Sequence, residues 1–441
     1  MDGNAVGKTF AKYISLNIIG MISASALVFI DAIFISIALG ADGLTAISLT
    51  SPIFSLVFGL GLMLGEGGGS KYAALMAAEK EEKANAFFTI SFRTCFIIAV
   101  PLVIAGIFFS ELISTLLGAQ GYILPMVAGY ARVFLTFSPI VILYYALESF
   151  VRNDGSPGVA MVSSVIFYTL NIALDYIFII EMGLGMFGSG LATVVASFCA
   201  VLYLFYHWYK KAHFHFTLVF VAAKKSKEIF AIGAPSLVGN LLTGLNILVF
   251  NLLFLRHLGN LGVAAFGIVS TLSIVVGAVF AGIAQGMQPM ASHFFGKNDI
   301  KNMNKVLKYS VMTSLCIALF FIAVVFLFTE PIISILNREQ DAVLASQLAL
   351  LSINGVRIYF TAFIFVGVTL VSTYFLAATG APKRALILSI LQNGGIIPFV
   401  FLAAFIADVT GIWASYPVYE MLLLFVTVWF LIRANKSTSP I

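Results

Sequence analysis

Twelve apolar runs, each close to 20 residues long, alternate with short polar connections along the whole chain. They centre near Val28, Phe58, Ile98, Ile142, Ile172, Ala200, Ile247, Val276, Phe320, Phe365, Phe399 and Phe425. A helix needs about 20 apolar residues to cross about 30 Å of hydrocarbon, so each run predicts one spanning helix. The pattern therefore predicts an all-α integral membrane protein of twelve transmembrane helices. An even number puts both termini on one side. Among the 24 basic residues, Arg256 and Arg338 fall in odd-numbered connections, and Arg132 and Arg357 fall within spans. The rest are assigned to the termini and the even-numbered connections, which makes that side cytoplasmic and the expected location the plasma (inner) membrane. The first run is not preceded by a signal-peptide pattern and is expected to stay as a helix.

Composition agrees with the pattern. The chain is 61% hydrophobic and 10% charged, where a soluble protein carries about 25% charged residues. The net charge of +5 comes from basic residues scattered among short connections, which does not suggest nucleic acid. Cys95, Cys199 and Cys316 sit in apolar stretches without metal or redox spacing and read as packing residues.

The chain also repeats itself. RVFLTFSPIVILYYALESFVRNDGSP from Arg132 aligns without a gap with RIYFTAFIFVGVTLVSTYFLAATGAP from Arg357. Arg132, Thr136, Phe150, Gly155 and Pro157 thereby meet Arg357, Thr361, Phe375, Gly380 and Pro382. LGADGLTAISLTS aligns with LGNLGVAAFGIVS, and the same register sets Glu66 against Gln285 and Gly67 against Gly286; a one-residue slip pairs Asp31 with Asn251. Two six-helix lobes follow, 1–213 and 229–441, joined by a basic cytoplasmic linker at 214–228. With six spans each, both insert in the same orientation and are related by a pseudo-two-fold axis along the membrane normal, an architecture suited to alternating access.

Candidate chemistry lies in the few ionisable groups inside these runs. Asp31 and Asp175 are carboxylates at bilayer depth, where a charge is expensive and by default functional. They are expected in the outer half at similar depth. Asn171 precedes Asp175 by one helical turn, on the same face. Asp31, Asn171 and Asp175 form the expected proton or cation site. A neighbouring pair of carboxylates can share a proton, and the same oxygens could chelate sodium, so the coupling ion stays open at this level. Glu66, beside three glycines, either lines a substrate cavity or sits solvated in a vestibule. Gln285, Gln288 and Asn251 are further candidate cavity residues. Glu148 and Arg152 are one turn apart and read as an intrahelical pair. Arg132 and Arg357 are expected to snorkel or pair. Glu420 lies in the last span without an evident partner.

DAIFI followed by LGADGLTAISLTSP, RNDGSPGVAM, NIALDYIFI with GSGLATVVA, GIAQGMQPMASHFFGKND and GIWASYP occur in this order along the chain. Together they resemble the multidrug and toxic compound extrusion (MATE) transporters over essentially the full length. The resemblance implies export of amphipathic, often cationic small molecules against protons or sodium; no cofactor beyond the coupling ion is expected, and the chain is expected to act as a monomer. It also implies that Asp31, Asn171 and Asp175 form the cation site of the N-terminal lobe. Some relatives carry carboxylates on the seventh and tenth spans; here those spans have none. A lipid or lipid-linked oligosaccharide flippase of similar architecture would favour a cationic cavity, whereas acids are clearer here. An intramembrane enzyme finds no support: all five histidines lie at span ends or in loops, and no HExxH-like, nucleophile or Walker motif appears. A channel fits the repeat and buried acids less well than alternating access.

Overall fold

The computed structural model describes residues 3–218, 223–336 and 342–437, and these are helical except for short connections. We number the helices α1 (Ala5–Gly40), α2 (Asp42–Ala77), α3 (Glu81–Leu116), α4 (123–153), α5 (Pro157–Glu181) and α6 (Gly185–Lys211). The second half follows as α7 (224–258), α8 (260–296), α9 (Ile300–Ser334), α10 (Val343–Ala378), α11 (382–406) and α12 (409–434). Two stretches of unbroken hydrogen bonding, of 73 and 53 residues, are each two spans. At 1.5 Å per residue the longer would reach roughly 110 Å if straight, several times the bilayer thickness. The backbone instead leaves the helical region at Gly259 and at Ala407–Asp408.

The joints obey the repeat. Gly40, between α1 and α2, has φ 62° and ψ −146°; its repeat partner Gly259, between α7 and α8, has φ 64° and ψ −153°. That backbone region is essentially open to glycine alone, so both joints need the residue the sequence supplies. Asp408 adopts φ 50° at the α11–α12 joint, and its Oδ1 lies 3.5 Å from His257 Nε2. The fourth helix of each half also breaks at the same register. α4 bends by 57° at Phe137, next to Pro139, while α10 has only a 3-10 turn, Phe360–Ala362, where the repeat places Ile364 instead of the proline. A proline removes a helix hydrogen bond and crowds the preceding turn, which accounts for the sharper bend.

Buried apolar side chains form two large clusters, one in each half. The starts of the first helix of each half are exceptions: Val6, Phe10 and Ile14 of α1 pack into the cluster of the second half, and Ile229 of α7 into that of the first. The structure also revises several sequence expectations. The helices outrun their apolar cores, so α1 extends well before its first apolar run. Arg93, assigned to a connection, is an exposed residue on α3 roughly 18 Å along the helix. α7 begins at Lys224, inside the stretch expected as linker, and residues 219–222 of that stretch, like Arg338, lie outside the described residues.

The connection before α9 shows how one polar residue starts a helix on the face bearing the termini. Asp299 Oδ1 accepts from the backbone N–H of Asn302 at 3.1 Å, and Oδ2 accepts from Asn302 Nδ2 at 2.7 Å. This is an N-cap. The bond from the Asn302 backbone holds the Asp299 carboxyl below its ordinary value. Because the folded value is depressed, the stabilisation is complete above the ordinary carboxylate range near pH 4 and is lost as pH falls through the folded value. Asp299→Ala should therefore cost about 1 kcal/mol at pH 7 and less under acid conditions. Thermal unfolding of purified protein at neutral and acid pH measures both; an equal loss at the two would refute the cap.

Candidate coupling site and interlobe contacts

Asp175 of α5, 1% exposed, lies near enough to Asp31 of α1 for their charges to interact. α6 holds them in place. Ser189 Oγ donates to Asp31 Oδ1 at 3.4 Å. Thr193, one turn further along α6, faces Asn171. With the Asn171 amide oriented to satisfy both its ends, Nδ2 donates to Asp175 Oδ2 at 3.0 Å while the oxygen accepts from Thr193 N at 2.9 Å and Oγ1 at 3.2 Å. A chain of polar groups thus runs from Asp31 through Ser189, Thr193 and Asn171 to Asp175. The remaining oxygen of Asp175, Oδ1, is buried without a hydrogen-bond partner. Immediately after Asp175 the helix widens into a π-helical turn, Tyr176–Glu181, a feature that recurs at functional sites because it loosens backbone bonding.

Three residues of this cluster were not singled out by the sequence. Ser189 and Thr193 sit four apart in GSGLATVVA, and that spacing places both hydroxyls on one face of a helix. Tyr130 on α4 is 6% exposed, stacks on Phe134 at 5.3 Å between ring centroids, and feels the charge of both carboxylates. Its sequence position carries no signal. Among the described residues no three His, Cys, Asp or Glu side chains converge. The cluster consists of two carboxylates with hydroxyl and amide groups bonded to them or to one another.

The other candidate residues lie elsewhere. Glu66 of α2 is 1% exposed and accepts a hydrogen bond from Ser236 of α7, its Oε1 left without a partner. Gln285 of α8 accepts from Arg152 Nη1 of α4 at 2.8 Å. Arg152 also pairs with Glu148 at 3.1 Å, the pair expected from their spacing, and Ser164 donates to the same Glu148 oxygen. Gln288 is buried with an unpaired Oε1, and Asn251 is half-buried. Arg132 pairs with Glu111 at 3.6 Å. A narrow cleft opens between α1, α2, α4, α5 and α8, lined by Asn17, Tyr145, Glu148, Ser164, Tyr168 and Gln285. Aromatic faces around one acid make a surface suited to a planar cation.

The hydrogen bonds and ion pairs that join the two halves lie toward the face bearing the termini. They include Glu66–Ser236, Arg152–Gln285 and Lys71–Glu228 at 3.2 Å. Glycines allow the backbones to approach there. A Cβ on Gly67 would strike the Ile229 carbonyl, and one on Gly233 the Met63 carbonyl. On the symmetry-related side, Gly286 and Gly282 pack against Tyr13 and Ile18 of α1. The pairing of Gly67 with Gly286 in the repeat thus has a structural meaning, since each lets a second helix of one half cross the first helix of the other.

Two repeated six-helix halves with carboxylates buried at membrane depth define a multi-pass membrane transporter fold. Residues 17–177 and 235–402 match the MatE family. The chain is 31% identical over 372 residues, 84% of this chain and 81% of the relative, to the multidrug export protein MepA of Staphylococcus saprophyticus. It is 30% identical over 376 residues, with the same coverage of each chain, to MepA of Staphylococcus aureus. A solved outward-facing conformation of a multidrug resistance MATE family transporter of the MOP superfamily shares the fold, with a TM-score of 0.91 at 22% identity over 98% of this chain and 96% of that one. The chain belongs to the MATE family of multidrug efflux transporters.

Proposed function

We propose that this protein exports amphipathic, cationic small molecules in exchange for protons, by alternating access between lobes at 1–213 and 229–441. In this reading it acts as a monomer in the plasma membrane with both termini cytoplasmic. Asp31, Asn171 and Asp175 form the coupling site. The observation that carries the reading is Asp175 Oδ1, buried and unpartnered beside a second carboxylate. A buried charge without a partner is costly, so the oxygen is ready to take up a proton or an ion. A proton needs only one such oxygen. Sodium needs several oxygens converging in a fixed arrangement. Glu66, Gln285, Gln288 and Asn251, with the acid-bearing cleft beside Glu148, supply the substrate path.

Closure of the halves on the face bearing the termini leaves the opposite side as the one from which the site reloads. The test is substrate efflux from proteoliposomes under separately imposed gradients. We expect a pH step of about one unit to drive efflux and a sodium gradient at constant pH to leave it unchanged. Efflux that follows sodium and ignores the pH step would overturn proton coupling and make the same residues a sodium site.

A further inference from the structure

A third carboxylate is buried as completely in the other half of the molecule. Glu420 lies on α12 and is 0% exposed. Gln392 Nε2 donates to its Oε2 at 3.4 Å, and Oε1 has no hydrogen-bond partner. Gln392 belongs to a π-helical turn of α11, Leu391–Gly395, and the carbonyl of Leu391 in that turn accepts from Tyr419 Oη at 2.6 Å. The rings of Tyr359 on α10 and Tyr416 on α12 stack 4.5 Å apart, and the carboxylate's charge reaches both of them and Tyr419. Among the hydrogen bonds of the described residues, the one from Gln392 is the one that reaches the Glu420 carboxylate.

We infer that Glu420 is a second proton-carrying site, in the C-terminal half and separate from Asp31 and Asp175. A negative charge in this cage would be offset by one long amide bond, and an isolated charge in such surroundings is strongly disfavoured. Something must neutralise it. An alkali cation would need converging oxygens. The nearby carbonyl of Leu391 is already engaged by Tyr419, and Gln392 turns its N–H toward the carboxylate, a donor that repels a cation. A proton alone satisfies the geometry. The seventh and tenth spans carry no acid, so on this reading the charge of the second half sits on α12 instead. The α11 π turn offers a way to move Gln392 away and release the proton, because its backbone bonding differs from that of the flanking helix.

The inference rests on the transporter reading for its purpose, but its test needs no transport. Infrared spectra of the purified full chain would be recorded as pH is stepped, following the carbonyl band of protonated carboxylic acids. Asp31→Asn with Asp175→Asn removes the first site. In that background a pH-dependent acid band should remain, and adding Glu420→Gln should remove one component of it that Glu66→Gln, added instead, leaves in place. If the triple variant does not fold, Glu420→Gln alone should remove one band from the otherwise unaltered chain, with folding read by size-exclusion chromatography. A spectrum unchanged by Glu420→Gln would overturn the proposal, as would disappearance of the band on adding sodium at constant pH. Failure of efflux to follow a pH gradient would count only against the Asp31–Asp175 reading.

Discussion

Asp175→Asn and Asp31→Asn should each abolish coupled export while leaving the protein folded and inserted. Asparagine keeps the shape of aspartate, and Asn171 and Ser189 retain a polar partner in each case. Folding should not suffer, because removing a buried charge relieves a desolvation penalty instead of exposing one. What disappears, on the proposed function, is the group whose charge changes when the driving ion binds. Coupling between driving ion and substrate is typically about 1–3 kcal/mol, or roughly 5- to 150-fold in affinity. Without a titrating carboxylate that term goes to zero, and pH-driven efflux should fall by a comparable factor. Asp175 should be the more sensitive position, since it is the more deeply buried and holds the unpartnered oxygen. Efflux assays in cells and vesicles with matched expression measure the effect; unaltered resistance in either variant would remove that residue from the coupling site.

Much of this architecture could be read directly from the residues. Run length sets the span count because helices must satisfy their own backbone in lipid, and the aligned LGADG and LGNLG segments carried the repeat, although only the structure shows that their glycines at 40 and 259 are equivalent joints. Asp31 and Asp175 stood out because charge is rare at that depth. Other features were hidden for physical reasons. Ser189 and Thr193 are common, uncharged helix residues, and only the crossing of α6 against α1 and α5 brings Ser189 to Asp31 and Thr193 to Asn171. Tyr130 is one aromatic among many. Glu420 was visible as an anomaly, yet its partner Gln392 lies on another helix, 28 residues away in sequence, and no periodicity links the two. Arg93 was misplaced because helices continue beyond their apolar cores into the headgroup region, where hydropathy gives no boundary.

The same logic separates the two groups of buried acids. Asp31, Asp175 and Glu420 each bond to partners within their own half. Glu66, by contrast, bonds across to Ser236 in the other half, near Arg152 and Gln285, which also bridge. Groups inside a half can change protonation without moving the halves. Groups between them change partners only when the halves part. Glu66 is therefore better placed to respond to the conformational step than to carry the ion.

Gly233→Ala should disable transport by preventing the halves from closing on the face bearing the termini. The Cβ it adds would lie far inside contact distance of the Met63 carbonyl, and Gly67→Ala would meet the Ile229 carbonyl in the same way. Both obstacles are backbone atoms in helices, so no side chain can rotate aside. Overpacking of this kind costs typically about 1–3 kcal/mol, and each 1.4 kcal/mol is about tenfold in an equilibrium. The closed arrangement should thus lose roughly 5- to 150-fold in population. Separation would also break the bond from Ser236 to Glu66, because Ser236 follows Gly233 by three residues on α7. Insertion should persist, since the substitution touches only the contact between halves and alanine is a better helix former than glycine. A cysteine at Ile229, which is 1% exposed, reports the change in a background lacking Cys95, Cys199 and Cys316. It should resist a water-soluble thiol reagent in the otherwise unaltered protein and react readily once Gly233→Ala is added, with efflux lost in parallel. Continued protection at 229 together with normal efflux would show that the contact does not gate the cycle.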